Sequence, residues 1–295
     1  MSERENKSSR NQPAIANATE RVGELHDLKA PKPASAHQGP RSIDDLIQIV
    51  RDASAQALSA GYPSSIVAQA LSLNSPHRFD VKDSLHPGRK DYSEPAVVVH
   101  KSRADGLAEI REHFLDRANE HTWIFLPTLG LWIDDCTRTH KHSVEADTFM
   151  RSVLLRVCDS VEVFHTHPDG LYRTLHEQGD LPAHYRIIAA TPSVGDQLSA
   201  VLLENEGGSA ASLKSHVISH FGVTSYQRTR VFRDSEDMIG GNFGWDYSLS
   251  NPSADPVKEI RRIIGLLQDQ VASVQTHGPA IPTWLLTFEP FMKNT

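Results

Sequence analysis

The sequence predicts a layered α/β or α+β domain, in which a mixed β-sheet is flanked by helices. From about residue 95 onward, short apolar runs typical of strands alternate with segments of helical periodicity. We find no internal repeat and no coiled-coil heptad pattern. Hydrophobic residues make up 39% of the chain and charged residues 23%, which are ordinary values for a globular protein with disordered margins.

The N-terminal part of the chain predicts extensions to this domain. Residues 1–42 are rich in polar and charged side chains and predict a disordered tail. Ser42 then precedes an acidic turn, and apolar side chains from Ile43 to Val50 follow at helical spacing, so a helix begins here. SSIVAQALSL predicts a second short helix, and residues 74–95 a linker. Residues 43–94 are therefore interpreted as a helical extension and linker.

The core is predicted to span residues 95–235. Strands are expected over AVVVH, TWIFLP, GLWID and VEVFHTHP. Helices are expected over DGLAEIREHFLDRAN, over SVEADTFMRSVLLRVCD with Ser143 as its cap, and over PSVGDQLSAVLLEN. HVISHFGVTSYQ predicts a hairpin or a strand with a turn at Gly222. A helix from about Asp255 to Ser273 and the apolar segment WLLTF follow, within residues 236–295, which predict a C-terminal helical extension.

The charge and the terminal sequence narrow the functional classes. A formal charge of −7 gives no bulk attraction to nucleic acid or to an anionic membrane surface. The two cysteines, Cys136 and Cys158, cannot form a disulfide framework or a four-thiolate zinc site. The first residues contain no apolar signal region, and no run approaches the length of a membrane span. A cytoplasmic protein is the expectation.

Two histidines stand at the end of a predicted strand. In VEVFHTHP, His165 and His167 are two residues apart and point to the same side of an extended backbone, where two imidazoles can share one metal ion. Pro168 ends the strand there. The spacing alone is a weak signal, because His140 and His142 repeat it in a polar stretch that predicts a solvated loop.

A carboxylate completes a possible ligand set. PSVGD places Ser193 where it can cap a helix and Asp196 in the first turn of that helix. Helix capping alone would also explain an acidic residue at this position. Two imidazoles and one carboxylate nevertheless match the three protein ligands of catalytic zinc, with a fourth position left for water. The predicted cofactor is therefore Zn²⁺.

HTHP followed by PSVGD resembles the signature of the JAB/MPN (JAMM) metalloproteases, which is a distant glutamate, then HxHP, then SxxD. Glu120 occupies the matching slot between the helix ending in DRAN and the strand WIFLP, 45 positions before His165. The hairpin HVISHFGVTSYQ is similar to the strands that follow the family's metal-bearing helix. The resemblance covers about residues 95–235 and implies the family's cytidine-deaminase-like core.

The resemblance implies a zinc-dependent hydrolase of the bacterial branch of that family. His165, His167 and Asp196 would hold zinc, Glu120 would act as general base and then general acid, and Ser193 would donate to the oxyanion. The implied reaction is hydrolysis of peptide or isopeptide bonds at the C-terminus of a ubiquitin-like protein or its conjugates. E1-like and E2-like enzymes are the implied partners, and no nucleic acid or membrane is expected.

The sequence departs from the family pattern in two places. Twenty-five residues separate His167 from Ser193, which predicts an insertion over residues 169–191 at the rim of the site. Asp180 and Glu177 lie nearer to the usual spacing and remain alternatives to Asp196 as the third ligand. Tyr172 and Arg173 are candidate substrate contacts in the insertion. The second departure is that Trp123 and Pro127 replace glycines near Glu120, so Glu112 in the preceding helix remains an alternative base.

Three rival functions use similar residues. A catalytically degenerate MPN-type scaffold would share the fold, and a nuclease or phosphoesterase built on His-x-His would gather more ligands for two metal ions. A nucleobase deaminase needs a PCxxC element, which this chain lacks. The aromatic residues of the two central apolar runs are interpreted as core and not as a binding platform: Trp123, Phe125 and Trp132.

Overall fold

Eight strands form one mixed sheet in the part of the chain that the structure describes, as the sequence predicts for the fold class. The structure is a computed structural model that describes residues 39–59, 79–90, 94–139, 144–168, 177, 179, 187, 189–207, 212–228, 255–274 and 284–291. The strands of the sheet are β1 Phe79–Lys82, β2 Ala96–His100, β3 Thr122–Leu126, β4 Leu131–Ile133, β7 Ser160–Thr166, β8 Ser212–Ser219, β9 Gly222–Arg228 and β10 Trp284–Pro290. A separate two-stranded ribbon consists of β5 Cys136–Thr139 and β6 Val144–Ala146.

The strand order across the sheet is β1-β2-β4-β3-β7-β8-β9-β10. Two neighbouring pairs are parallel, β1 with β2 and β7 with β8, and the other pairs are antiparallel. Parallel neighbours need a crossover connection, and between β7 and β8 this connection contains a helix. β7 therefore lies in the middle of the sheet, with an antiparallel strand on one side and a parallel strand on the other.

Five described helices cover the two faces of the sheet: α1 Ile43–Ser59, α2 Arg103–His113, α3 Thr148–Val157, α4 Val194–Gly207 and α5 Pro256–Val274. The first face, called here the α3 face, packs against α1, α3 and α4 through one core cluster and against α5 through another. The opposite α2 face packs Leu107 and Ile110 of α2 against Trp123, Trp132 and Phe164. These aromatic residues are core residues, as the sequence predicts.

Most predicted elements occur close to their predicted positions. Ser42 accepts a hydrogen bond from Asp45 N (3.1 Å) and so caps α1. Asp147 caps α3 by accepting from Met150 N, and β6 occupies part of the segment predicted as helix. The prediction that this helix begins at a Ser143 cap is therefore wrong. The reason is local, because Val144–Ala146 pair with β5 before the helix begins.

Both edge strands of the sheet come from segments that the sequence analysis assigned to extensions. β1 lies within the predicted linker 74–95 and pairs with β2, so the prediction of irregular chain there is wrong for Phe79–Lys82. β10 lies within residues 236–295 and pairs with β9 over seven residues, from Trp284 opposite Arg228 to Pro290 opposite Gly222. The sheet thus extends beyond the limits of 95 and 235 on both sides.

Several predictions lie outside the described residues. They are the tail 1–42 except for its last four residues, the short helix SSIVAQALSL, and His140 and His142. Most of the insertion 169–191 also lies outside, including Tyr172, Arg173 and Asp180.

Candidate metal centre

The predicted ligands meet where β7 ends and α4 begins, on the α3 face. Alternation along β7 directs Val161, Val163 and His165 to the α3 face, and Phe164 to the α2 face. The crossover from β7 to β8 brings the first turn of α4 back to the same end of the sheet. In sheets with parallel strands, this junction of a strand's carboxyl end and the following helix is a common ligand position.

Three side chains converge there within bonding distance of a common point. His165 Nε2 lies 3.2 Å from His167 Nε2 and 3.1 Å from Asp196 Oδ1. His167 Nε2 lies 3.5 Å from Asp196 Oδ2. Zinc bonded tetrahedrally to nitrogen and oxygen at about 2.0–2.1 Å would hold neighbouring ligand atoms about 3.3 Å apart. The three side chains could therefore hold a metal ion.

The group contains three potential ligands among the described residues, and no second such group occurs in that part of the chain. The histidines are 7% and 6% exposed, and the Asp196 side chain is 17% exposed. The opening of the centre is therefore on the Asp196 side. Three protein ligands leave a tetrahedral ion one position for another molecule.

Asp196 is held by a reciprocal capping arrangement at the start of α4. Its Oδ2 accepts from Ser193 N (2.6 Å), and Ser193 Oγ accepts from Asp196 N (3.2 Å). This is a capping box with aspartate in the acidic position. Oδ2 is therefore engaged by the backbone, while Oδ1 is the oxygen nearer to His165. The capping and ligand interpretations of Asp196 are compatible, because each uses a different oxygen.

His167 is oriented from its other ring nitrogen. Nδ1 lies 2.6 Å from Ala189 O. Because a carbonyl oxygen only accepts, this contact assigns a proton to Nδ1, and in the neutral imidazole the lone pair of Nε2 then faces the cluster. Metal-binding histidines commonly make this second contact to a carbonyl or carboxylate. Thr224 Oγ1 donates to Ala190 O, which ties the segment before α4 to β9.

The electrostatics of the centre favour a cation. Burial alone would lower the pKa of His167, but the carboxylates of Asp196 and Glu120 and the contact with Ala189 O outweigh it and raise the pKa to about 9. Burial would raise the pKa of Asp196, yet the two histidines hold it well below its usual range. Positive charge at this point is therefore stabilised by its surroundings.

Glu120 lies beside the histidines in the sheet register. Thr122 pairs with His165, and Thr166 N donates to His121 O (3.0 Å), so the next step of the register sets Glu120 opposite His167. Glu120 is 7% exposed, and its charge contributes to the raised pKa of His167. It is not one of the three converging side chains. A carboxylate next to a metal site, but outside its ligand set, is the arrangement that general-base catalysis requires.

The structure distinguishes the other residues that the sequence analysis proposed as base, ligand or oxyanion donor. The Glu112 side chain is 74% exposed on α2, which fits the interpretation of a solvated helical carboxylate. Glu177 is exposed and does not belong to the ligand group, and Asp180 is outside the described residues. Ser193 Oγ accepts from Asp196 N, so its O–H proton is not used in capping.

The structure also brings to the centre residues that the sequence analysis did not single out. Arg151 of α3 is 8% exposed and donates to Asp135 and to Thr122. Thr122 is the first residue of β3, is buried, and shares the face of Glu120. The sequence offers one sign of these contacts, because Arg151 is an arginine inside an apolar helical stretch. That sign does not identify Thr122, 29 residues away, as its partner.

These observations define the class: an α+β protein with a candidate three-ligand metal centre. Comparisons with models of protein families, with curated proteins and with solved structures found no match. No helix within the described ranges has both the length and the apolar character needed to cross a membrane.

Proposed function

We propose that the protein is a zinc-dependent metallopeptidase of the JAB/MPN (JAMM) type, which hydrolyses amide bonds. The observation that carries this proposal is the convergence of His165, His167 and Asp196, with Glu120 beside them. The ligand set favours zinc because two imidazoles and one carboxylate are common in catalytic zinc sites, whereas Mg²⁺ and Ca²⁺ prefer oxygen ligands. As part of the same proposal, the domain has the cytidine-deaminase-like core of this family.

Each residue has a defined task in this reaction. Zinc, when bound, supplies a Lewis acid that polarises a carbonyl group and activates water at neutral pH. Glu120 accepts a proton from the attacking water and returns it to the leaving amine, which amide hydrolysis requires because an amine anion is a poor leaving group. Ser193 can donate its O–H proton to the developing oxyanion at the mouth of the site.

The proposed substrate is a protein or peptide, with the C-terminus of a ubiquitin-like protein or its conjugates as the first class to examine. E1-like and E2-like enzymes are the proposed partners, and a cytoplasmic location is part of the same proposal. A degenerate MPN-type scaffold is the alternative of a different class. The complete ligand set and the buried Glu120 favour the enzyme, because a scaffold has no use for either.

Metal content tests the first half of the proposal. The purified protein should carry about one zinc per chain, as three convergent ligands predict. Asp196→Ala and His165→Ala should each lose most of it, whereas Asp180→Ala should keep it. Elemental analysis after dialysis against a weak chelator measures this. Metal retained in Asp196→Ala and lost in Asp180→Ala would transfer the ligand role to Asp180.

Glu120→Gln tests the second half. The variant should keep zinc but lose hydrolysis by at least 10²-fold, because the amide cannot accept a proton. Cleavage is measured with a fluorogenic amide at the C-terminus of ubiquitin and with a fluorogenic peptide amide. Glu112→Gln is the matched control and should act like the parent, since Glu112 is solvated. Parental rates in Glu120→Gln would remove Glu120 from the mechanism, and a zinc-loaded parent without activity on any amide would favour the scaffold.

A further inference from the structure

A buried charged network is connected to the candidate metal centre through Thr122, the register partner of His165. Arg151 enters it from α3 and is 8% exposed, while Asp135 is fully buried. Arg151 Nε donates to Asp135 Oδ2, and Arg151 Nη2 donates to Thr122 Oγ1. Burial raises the pKa of Asp135, although Arg151 opposes this shift by its charge and hydrogen bond.

Thr122 connects this network to the two strands that carry the site. Its Oγ1 accepts from Arg151 and donates to Phe164 O (2.9 Å), so both functions of the hydroxyl are used. Phe164 immediately precedes His165, and His165 is the register partner of Thr122. Glu120 lies two residues before Thr122 on the same face. One hydroxyl group therefore links the strand of the proposed general base to the strand of the two imidazoles.

Stability alone is a weak reason for this arrangement. A buried arginine and aspartate lose solvation, and apolar residues of similar volume often replace such pairs without loss of stability. What a buried, hydrogen-bonded charge does provide is a fixed geometry, because each donor must stay on its acceptor. Here the fixed atoms are Thr122 Oγ1 and, through it, the peptide group that precedes His165.

We propose that Asp135, Arg151 and Thr122 form a positioning network that sets His165 and Glu120 relative to each other and so fixes the geometry of the metal centre. The inference rests on the proposed function and adds three residues that do not touch the metal. Thr122 is the link, because it contacts both Arg151 and the His165 strand. Arg151 acts through Thr122, and Asp135 fixes the guanidinium.

Thr122→Val is the sharpest test, because valine keeps the shape and β-branching of threonine and removes only the hydroxyl. Thr137→Val is the matched control. Thr137 is 1% exposed, and its Oγ1 has no hydrogen-bond partner among the described residues. Thr122→Ser restores the hydroxyl. Zinc dissociation constants by chelator competition, visible spectra of the cobalt-loaded proteins and urea unfolding are measured for all four proteins.

We expect Thr122→Val to bind zinc on the order of tenfold more weakly, as for other outer contacts of metal ligands, and to change the cobalt spectrum. Thr137→Val and Thr122→Ser should match the parent in both. If Thr122→Val does not fold, Thr122→Ala replaces it and should bind zinc more weakly than Thr122→Ser, because it also lacks the hydroxyl group. A less stable Thr122→Val with parental zinc affinity and cobalt spectrum would overturn this inference alone. A parent that binds no zinc would overturn the proposed function as well.

Discussion

At the scale of the residue, Ser193 and Asp196 show how a local rule can produce part of a functional site. The capping box satisfies backbone N–H groups that the first turn of α4 would otherwise leave without partners. The same geometry turns Asp196 Oδ1 toward His165. A helix start therefore orients a carboxylate that could serve as a metal ligand.

Ser193→Ala should lower the free energy of unfolding by about 1 kcal/mol, because it removes the acceptor for Asp196 N. Ser193→Asn, which keeps a capping acceptor, should recover most of this loss. Urea unfolding of the metal-free proteins measures the difference without a contribution from zinc. Equal stabilities of Ser193→Ala and the parent would mean that the cap contributes nothing to folding.

At the scale of the element, α2 lies unusually close to the sheet because of one glycine. A Cβ added to Gly106 would lie 2.3 Å from the ring of Trp132. Trp132 has little room to yield, since its Nε1 donates to Ser102 O (3.2 Å) and its ring packs 4.9 Å from Phe164. The tryptophan side chain thus occupies the space that the glycine leaves.

Gly106→Ala should therefore lower the free energy of unfolding by about 2 kcal/mol, because overpacking outweighs the better helix propensity of alanine. Gly265→Ala in α5 is the matched control, because an added Cβ there meets nothing within 4 Å. This second change should raise the free energy of unfolding by about 0.5–1 kcal/mol. Chemical unfolding of both variants checks the pair. Stabilisation by both substitutions would show that Trp132 moves aside.

The elements also show where sequence patterns are sufficient. The strand β7, the helix α4 and the hairpin of β8 and β9 could be predicted because each has a complete local signal, such as the Gly222 turn. His165 and His167 follow from the period of a strand, and Asp196 from a helix cap. β1 could not be predicted as part of the sheet, because its four residues gain their strand conformation from pairing with β2, which begins 14 residues after β1 ends.

The contacts of Arg151, like the pairing of β1 with β2, depend on residues distant in the sequence. Nothing near Arg151 in the sequence indicates that its guanidinium reaches Thr122, 29 residues earlier. The register between β3 and β7, which sets Glu120 near His167, is likewise fixed only by the assembled sheet. The ligands were thus accessible from local patterns, whereas their supporting contacts were not.

At the scale of the whole molecule, residues of the C-terminal segment pack against the helix that carries one residue of the candidate metal centre. Ile260 and Ile263 of α5 share a core cluster with Trp284 of β10 and with Ala200 and Val201 of α4. The helix that presents Asp196 is therefore packed against residues that follow its last residue by more than 50 positions in the chain. Loss of this cover would expose apolar surface on α4 and on the sheet.

A buried histidine on the α2 face of the sheet predicts a pH-dependent contribution to stability. His216 is 2% exposed, stacks on Phe164 at 4.2 Å and contacts Ser225 Oγ (2.7 Å) and Glu162 Oε2 (3.1 Å). Burial lowers the pKa of His216 despite the neighbouring carboxylate. The unfolded chain therefore takes up a proton at this residue at a higher pH than the folded chain does.

The contribution of His216 to stability should consequently be fully present above the unfolded pKa of about 6.5 and should fall as the pH drops below it. His216→Gln removes the titrating group and should show a smaller loss of unfolding free energy between pH 7.5 and pH 5.5 than the parent. The pKa of Glu162 is also lowered, because His216 and Arg103 outweigh its burial, and this adds a further loss at lower pH. Urea unfolding at several pH values measures both. An unchanged pH profile in His216→Gln would exclude this residue as a source of the effect.

The carboxyl group of Asp196 joins the candidate metal centre to the backbone of α4. Because Oδ2 accepts from Ser193 N while Oδ1 faces His165, an ion that immobilises this side chain also immobilises the first turn of α4. Hydrogen–deuterium exchange at the amides of Ser193, Asp196 and Gln197 should slow when the ion is present. Occupancy of the candidate centre could thus be followed through the backbone amides of α4.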